Sequence, residues 1–161
     1  RVALTDYRGI PIIDTLVRPT QPVSNFGTLS PQEQHQLPHA PSFDTVRSQI
    51  IGLLDDKIIV GYGLWNFLSL VGITHSAFYT RDCATFLPFL RTLQAPQMPP
   101  LGILVNRILG RDFGLLGEHP LEAARAALDL FRSTEPFWEE LIDQGQWPNT
   151  LPPPNYQNYY T

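Results

Sequence analysis

A chain of 161 residues is long enough for one domain that buries roughly 70% of the surface its unfolded form exposes. Its net charge of −4 and single lysine, Lys57, argue against a broad phosphate-neutralising surface of the kind non-specific nucleic-acid binding rests on. A lone cysteine, Cys83, excludes an internal disulfide and a cysteine-built zinc site, and no apolar run of about 18 residues is present to cross a membrane.

Residues 2–7 alternate weakly and predict a strand. Tyr7, Arg8 and Gly9 form a turn signal, and residues 10–17 predict a second strand, so the chain opens with an antiparallel hairpin. Pro11 belongs near the start of that strand or on a sheet edge, because it has no N–H to donate. No leader peptide is expected in this opening, and the cysteine usage suits an intracellular protein. Residues 19–41 are rich in Pro, Ser, Thr and Gln and read as a long connection. Within it, Ser30, Pro31 and Glu33 have the order of a cap, a first-turn proline and a first-turn acid.

Ser42 caps the next helix, in which Phe43, Val46, Ile50, Leu53 and Leu54 recur at helical spacing and predict one buried face. The stretch 58–72 follows. Ile58, Ile59 and Val60 favour a buried strand, Gly61 and Gly63 punctuate it, and residues 65–71 read as a helix. A strand ending in glycines and feeding a helix places side chains at the carboxyl edge of a sheet, where open α/β sheets build their sites. A further strand is predicted near 78–81 and a helix over 84–93, broken at Pro88. Residues 101–109 predict a helix stopped by Gly110, and 114–119 a loop. Pro120 opens a helix to Arg132, and a separate terminal helix over 135–142 follows a break at Pro136. The pattern is α/β: a mixed sheet flanked by helices over residues 1–145, with a Pro- and Tyr-rich tail over 146–161.

Three stretches together resemble the DEDDh 3′–5′ exonucleases, in particular their RNA-exonuclease branch. The first runs from Arg1-Val2 through Asp6-Tyr7-Arg8-Gly9 to Asp14-Thr15-Leu16-Val17-Arg18-Pro19. The second is Ile59 to Leu68, reading IVGYGLWNFL, followed by Arg81-Asp82-Cys83. The third is the apolar segment 101–109, then Gly117-Glu118-His119 and Ala123-Ala124-Arg125-Ala126-Ala127. The resemblance covers residues 1–140 and implies an RNase H-like fold.

It also implies a site of four acids holding two divalent metals, with a histidine to deprotonate the attacking water. Two cations a few ångström apart need several carboxylates to neutralise and fix them. Here the resemblance places Phe67 at the second-motif acid and Ala123 at the third, or Ala124 if no gap is set. Tyr62 stands at the changed histidine position of the second motif. Only His119 matches, as a vestigial base, and Glu122 lies one helical position from the acid it would replace. The family's first motif, an Asp-x-Glu on the central first strand, is not within this sequence. Without that strand the sheet has a gap, which an upstream segment, a partner chain or a reordered sheet is expected to fill.

The expectation is therefore an exonuclease-like domain without catalysis and without a resident metal, binding a protein partner or a second copy of itself. Tyr62, Trp65, Asn66 and Glu122 would line the former groove. Two alternatives remain: a Mg²⁺- or Mn²⁺-dependent 3′–5′ exoribonuclease, and a metal-free single-stranded RNA binder using Trp65 and Phe67 as stacking platforms. Asp82 is expected to cap a helix or brace a loop. Asp55, Asp56, Glu139 and Glu140 are expected to be solvated charge. Pro153, Pro154 and Tyr156 match the Pro-Pro-x-Tyr pattern of WW-module ligands.

Overall fold

The opening hairpin forms as the alternation requires. In the computed structural model, which describes residues 1–95, 98–114 and 119–161, β1 (Val2–Thr5) pairs antiparallel with β2 (Pro11–Thr15). A bulge at Leu4/Thr5 absorbs Pro11, and the turn is held by Asp6, whose Oδ1 accepts from the Arg8 and Ile10 amides. Gly9 takes φ +80° there.

The long connection contains more structure than its composition suggests. α1 (Pro31–Gln36) carries a complete capping box between Ser30 and Glu33, and a 3₁₀ turn follows at Leu37–His39. α2 (Phe43–Leu54) begins at the Ser42 cap. Its inward stripe is Val46, Ile50 and Leu54. The expected Phe43 and Leu53 lie outside that stripe and are exposed.

β3 (Ile59–Gly61) runs into α3 (Leu64–Val71), and β4 (Thr80–Asp82) lies parallel to β3. A 3₁₀ turn at Ala77–Tyr79 takes the place of the first part of the predicted strand. α4 (Leu87–Thr92) starts one residue before Pro88, so the proline opens this helix rather than breaking it. α5 (Leu101–Leu109) ends at Gly110, as its sequence requires. The predicted loop 114–119 falls largely outside the described residues, Gly117 and Glu118 included.

α6 (Pro120–Asp143) runs unbroken through Pro136, contrary to the two helices expected. Proline removes one intrahelical donor, and here neighbouring hydroxyls are bonded to nearby carbonyls. Ser133 Oγ donates to the Leu130 carbonyl, and Thr134 Oγ1 reaches those of Leu130 and Phe131. Packing favours continuity as well. Phe131 and Trp138, two turns apart on either side of Pro136, share one core, and Trp138 stacks on Phe86 at 3.7 Å.

The strands form two separate two-stranded sheets, β1-β2 and β3-β4. Two cores lie on their opposite faces. One joins α5 and α6 around Phe86, Leu104 and Trp138, and the other joins α2 and α3 around Ile50, Ile59 and Leu68. The tail packs on the domain itself. Thr161 N–H donates to the His75 carbonyl, and its own carbonyl accepts from Ala77. Tyr159 and Tyr160 lie against the second core.

Candidate functional site

The segment from β3 into α3 is built around glycine and one buried acid. A Cβ on Gly61 would lie 2.5 Å from the Leu64 side chain, so only glycine lets that leucine turn back over the strand. Gly63 caps α3 with φ +63°. Its amide and that of Leu64 donate to the Asp82 carboxylate at 2.8 and 2.7 Å, and the Ala84 amide adds a third bond at 2.9 Å. Asp82 thus caps α3 from the end of β4, as expected of it. Burial raises its pKa from the ordinary value to about 6, against the pull of the three backbone bonds.

Between the two half-sheets lies a groove of about 470 Å³. Residues 1–7 border it on one side and 58–62 on the other, while Leu64, Phe67, Leu101 and the α6 positions Ala123, Ala124 and Ala127 line its walls. The structure therefore brings Tyr62, Phe67 and Ala123 to one groove. Tyr62 donates its hydroxyl to the Pro99 carbonyl at 2.6 Å.

Other candidates are elsewhere. Trp65 is buried and lines a separate cavity of about 130 Å³ with Asp82, Trp147 and Tyr160, so it offers no stacking face to the groove. Asn66 is exposed on α3. Glu122 is exposed and ion-paired with Arg125 at 2.8 Å. His119 is the N-cap of α6, its Nδ1 accepting from the Leu121 amide at 3.3 Å. Of the Pro-Pro-x-Tyr motif, Pro153 keeps an extended conformation, but residues Pro154–Tyr159 are a 3₁₀ helix. A WW module would have to unwind it.

The groove's donor set does not suit two divalent cations. Among its lining residues the one carboxylate is Asp6, and that group is bonded to the turn amides of Arg8 and Ile10. Among the described residues no three His, Cys, Asp or Glu side chains converge as a metal cluster.

Sequence reading missed two charge assemblies. Arg1 donates to Asp14 at 2.8 and 2.9 Å and also meets Glu33. Those Arg1 hydrogen bonds, with the charges of Arg1, His119 and Arg125, hold the Asp14 carboxyl below its ordinary pKa. Glu139 is not solvated charge: it accepts from Arg81 Nε and Nη2, both at 2.7 Å, and Arg81 is 2% exposed. An arginine in a β-branched and aromatic strand environment was the available signal, but its partner lies 58 residues away.

No family model matches the chain. RNA exonuclease 4 of Mycosarcoma maydis is 36% identical over 145 residues, which cover 88% of this chain and 38% of that protein. RNA exonuclease 4 of Cryptococcus neoformans var. neoformans serotype D is 34% identical over 143 residues, covering 88% and 35%. The interferon-stimulated 20 kDa exonuclease-like 2 protein of Mus musculus is 28% identical over 149 residues, covering 89% and 40%. The chain thus spans two-fifths or less of each of these relatives.

Two solved structures share the fold. The Neurospora crassa Pan2 catalytic unit of protease and nuclease domains aligns with TM-score 0.66 at 20% identity, over 85% of this chain and 23% of that one. The Saccharomyces cerevisiae Pan2 pseudoubiquitin hydrolase–RNA exonuclease module, in complex with AAUUAA RNA, gives TM-score 0.67 at 20% identity with the same coverage. Similarity along almost the whole sequence to one stretch of the RNA exonuclease 4 proteins, and a backbone that overlays on exonuclease modules, lead to one conclusion: the chain has an RNase H-like fold and is similar to the RNA exonucleases.

Proposed function

We propose that this chain is an exonuclease-like domain without nuclease catalysis, which works by binding a protein. One observation carries the reading. Phe67 and Ala123, the two positions that the resemblance assigns to metal-binding acids, both line the groove, and among its described lining residues the one carboxylate is Asp6. A benzyl ring and a methyl group supply no ligand to a cation, and phosphodiester hydrolysis of the two-metal kind depends on several. His119 remains, but a general base of this kind acts on a metal-activated water, and a phenyl ring and a methyl group at the two acid positions do not help to hold the metals. Fold alone does not carry activity.

The test is exonucleolysis of a 5′-labelled single-stranded RNA in Mg²⁺ and in Mn²⁺. Full-length RNA is expected throughout. Shortening that His119→Ala abolishes would overturn the reading. The relatives' names favour a second possibility, a metal-dependent 3′–5′ exoribonuclease. It requires tight Mn²⁺ binding, which isothermal titration measures directly.

A further inference from the structure

We infer that the cavity between α3, β4 and the tail is a receptor for the trimethylammonium head of a methylated lysine on a partner protein. The inference goes beyond the groove and its chemistry. None of the described residues lining this cavity borders the groove, so the fate of RNA there leaves it untouched. The first ground is aromatic. Trp65, Trp147 and Tyr160 line one space of about 130 Å³. That is close to the ~150 Å³ that admits a benzene-sized guest, and far more than one water needs. Among the described residues none of these three rings packs on another ring, and none lies under a cation of the chain. The tail side of the cavity is also pinned in place. The Leu87 amide donates to the Pro148 carbonyl at 2.8 Å, and the Thr150 amide to the Thr85 carbonyl at 2.8 Å. Asn149 Nδ2 donates to the Asp82 carbonyl and to Thr85 Oγ1, both at 2.9 Å.

The second ground is charge. Asp82 and Tyr160 are the ionisable groups among the described lining residues, with no Lys, Arg or His beside them. Asp82 has no ion-pair partner among the described residues. With its pKa at about 6 it is ionised at neutral pH, held by three amides but faced by no cation. Its charge is felt at Tyr160: burial, and after it Asp82, hold that phenol above its ordinary range. Asn149 adds a buried Oδ1 without a hydrogen-bond partner. Aromatic walls around a negative centre suit a cation. A plain lysine ammonium brings three N–H donors and an arginine five, whereas the carboxylate already accepts from three amides. Trimethylation removes the donors and keeps the charge. Trp147 and Leu151 line the cavity yet stay exposed, an apolar rim for the aliphatic stem that a side chain brings and a free ion lacks.

The experiment uses the ¹⁵N-labelled 161-residue chain and a short Ala/Ser peptide with one central trimethyl-lysine. Its controls are the same peptide with plain lysine, the same peptide with the neutral tert-butyl isostere, which keeps the shape and loses the charge, and tetramethylammonium alone. The indole Nε1–H signals are followed by NMR at neutral pH. The trimethyl-lysine peptide is expected to shift the signals of Trp65 and Trp147 and to leave that of Trp138, stacked on Phe86 in the other core, in place. Each control is expected to bind at least tenfold more weakly. Trp147→Leu, at a 43% exposed position, keeps apolar bulk without the ring and is expected to weaken binding at least tenfold, with the Trp138 signal reporting that the fold is intact. A neutral isostere that binds as tightly as the charged peptide would overturn the inference. So would a plain lysine peptide or tetramethylammonium of equal affinity, shifts at all three indoles or at none, or a Trp147→Leu variant that binds as the parent does.

Discussion

Replacing Asp82 with alanine strips three buried backbone donors of their acceptor. The amides of Gly63, Leu64 and Ala84 lie 2.7–2.9 Å from the carboxylate, and Asp82 is 4% exposed. At about 1 kcal/mol for each bond, the loss comes to about 3 kcal/mol. For a domain of this size that is a fall in melting temperature of roughly 6–12 °C. The carboxyl also has a pH signature. Its pKa is raised from 3.8 to about 6, so the native state keeps the proton to higher pH than the unfolded chain does. Protonation therefore favours the fold. This contribution is fully present below the unfolded pKa near 4 and is lost as the pH rises through 6. Two units correspond to about 3 kcal/mol. Asp14 and Glu33, both held below their ordinary values, act on the acid side of that window and with the opposite sign. Asp82→Asn keeps one acceptor oxygen, sets an NH₂ group against the Leu64 amide and cannot titrate. Urea unfolding at pH 4, 5, 6 and 7 should show Asp82→Ala destabilised by about 3 kcal/mol at pH 5, and Asp82→Asn lacking the parent's decline between pH 4 and 6. An alanine variant within 1 kcal/mol of the parent, or an asparagine variant with an unchanged slope, would refute the capping account.

Glu139→Ala leaves the buried Arg81 guanidinium without its bidentate partner, and a loss of about 3 kcal/mol is expected, with Glu139→Gln milder; thermal unfolding of the two variants decides. Cys83 is fully buried and its thiol is pushed up by burial, so a disulfide reagent should react only in denaturant; rapid labelling of the native chain would contradict the packing.

The helices with clean stripes and caps were legible from the residues: the Ser30 box, the Ser42 cap and the Gly110 stop all act as their chemistry requires. The same local rules misplaced Pro88 and Pro136. A proline's effect depends on where the helix begins and on the core packing that holds the helix on either side of it, and neither follows from the proline itself. The meeting of Tyr62, Phe67 and Ala123 was legible only through the order of three stretches, since they come from different elements. Trp65 was read as a groove residue because it neighbours Phe67 in sequence. Two steps along a helix turn a side chain by about 200°, which carries Trp65 to the opposite cavity. The Arg81–Glu139 pair joins residues from β4 and α6, and no local pattern announces it.

The seam between the half-sheets has a practical consequence. β1 and β3 share no backbone bond among the described residues, and α6 lies against both, so it braces the two halves from one side. A cleft braced that way opens at lower free energy than the whole molecule unfolds. Whatever seats in it acts as a weld, adding about 2.7 kcal/mol at a hundredfold excess over its dissociation constant. That is roughly 5–11 °C of thermal upshift. Heating curves taken in the presence of candidate proteins would then rank them without any enzymatic signal to follow.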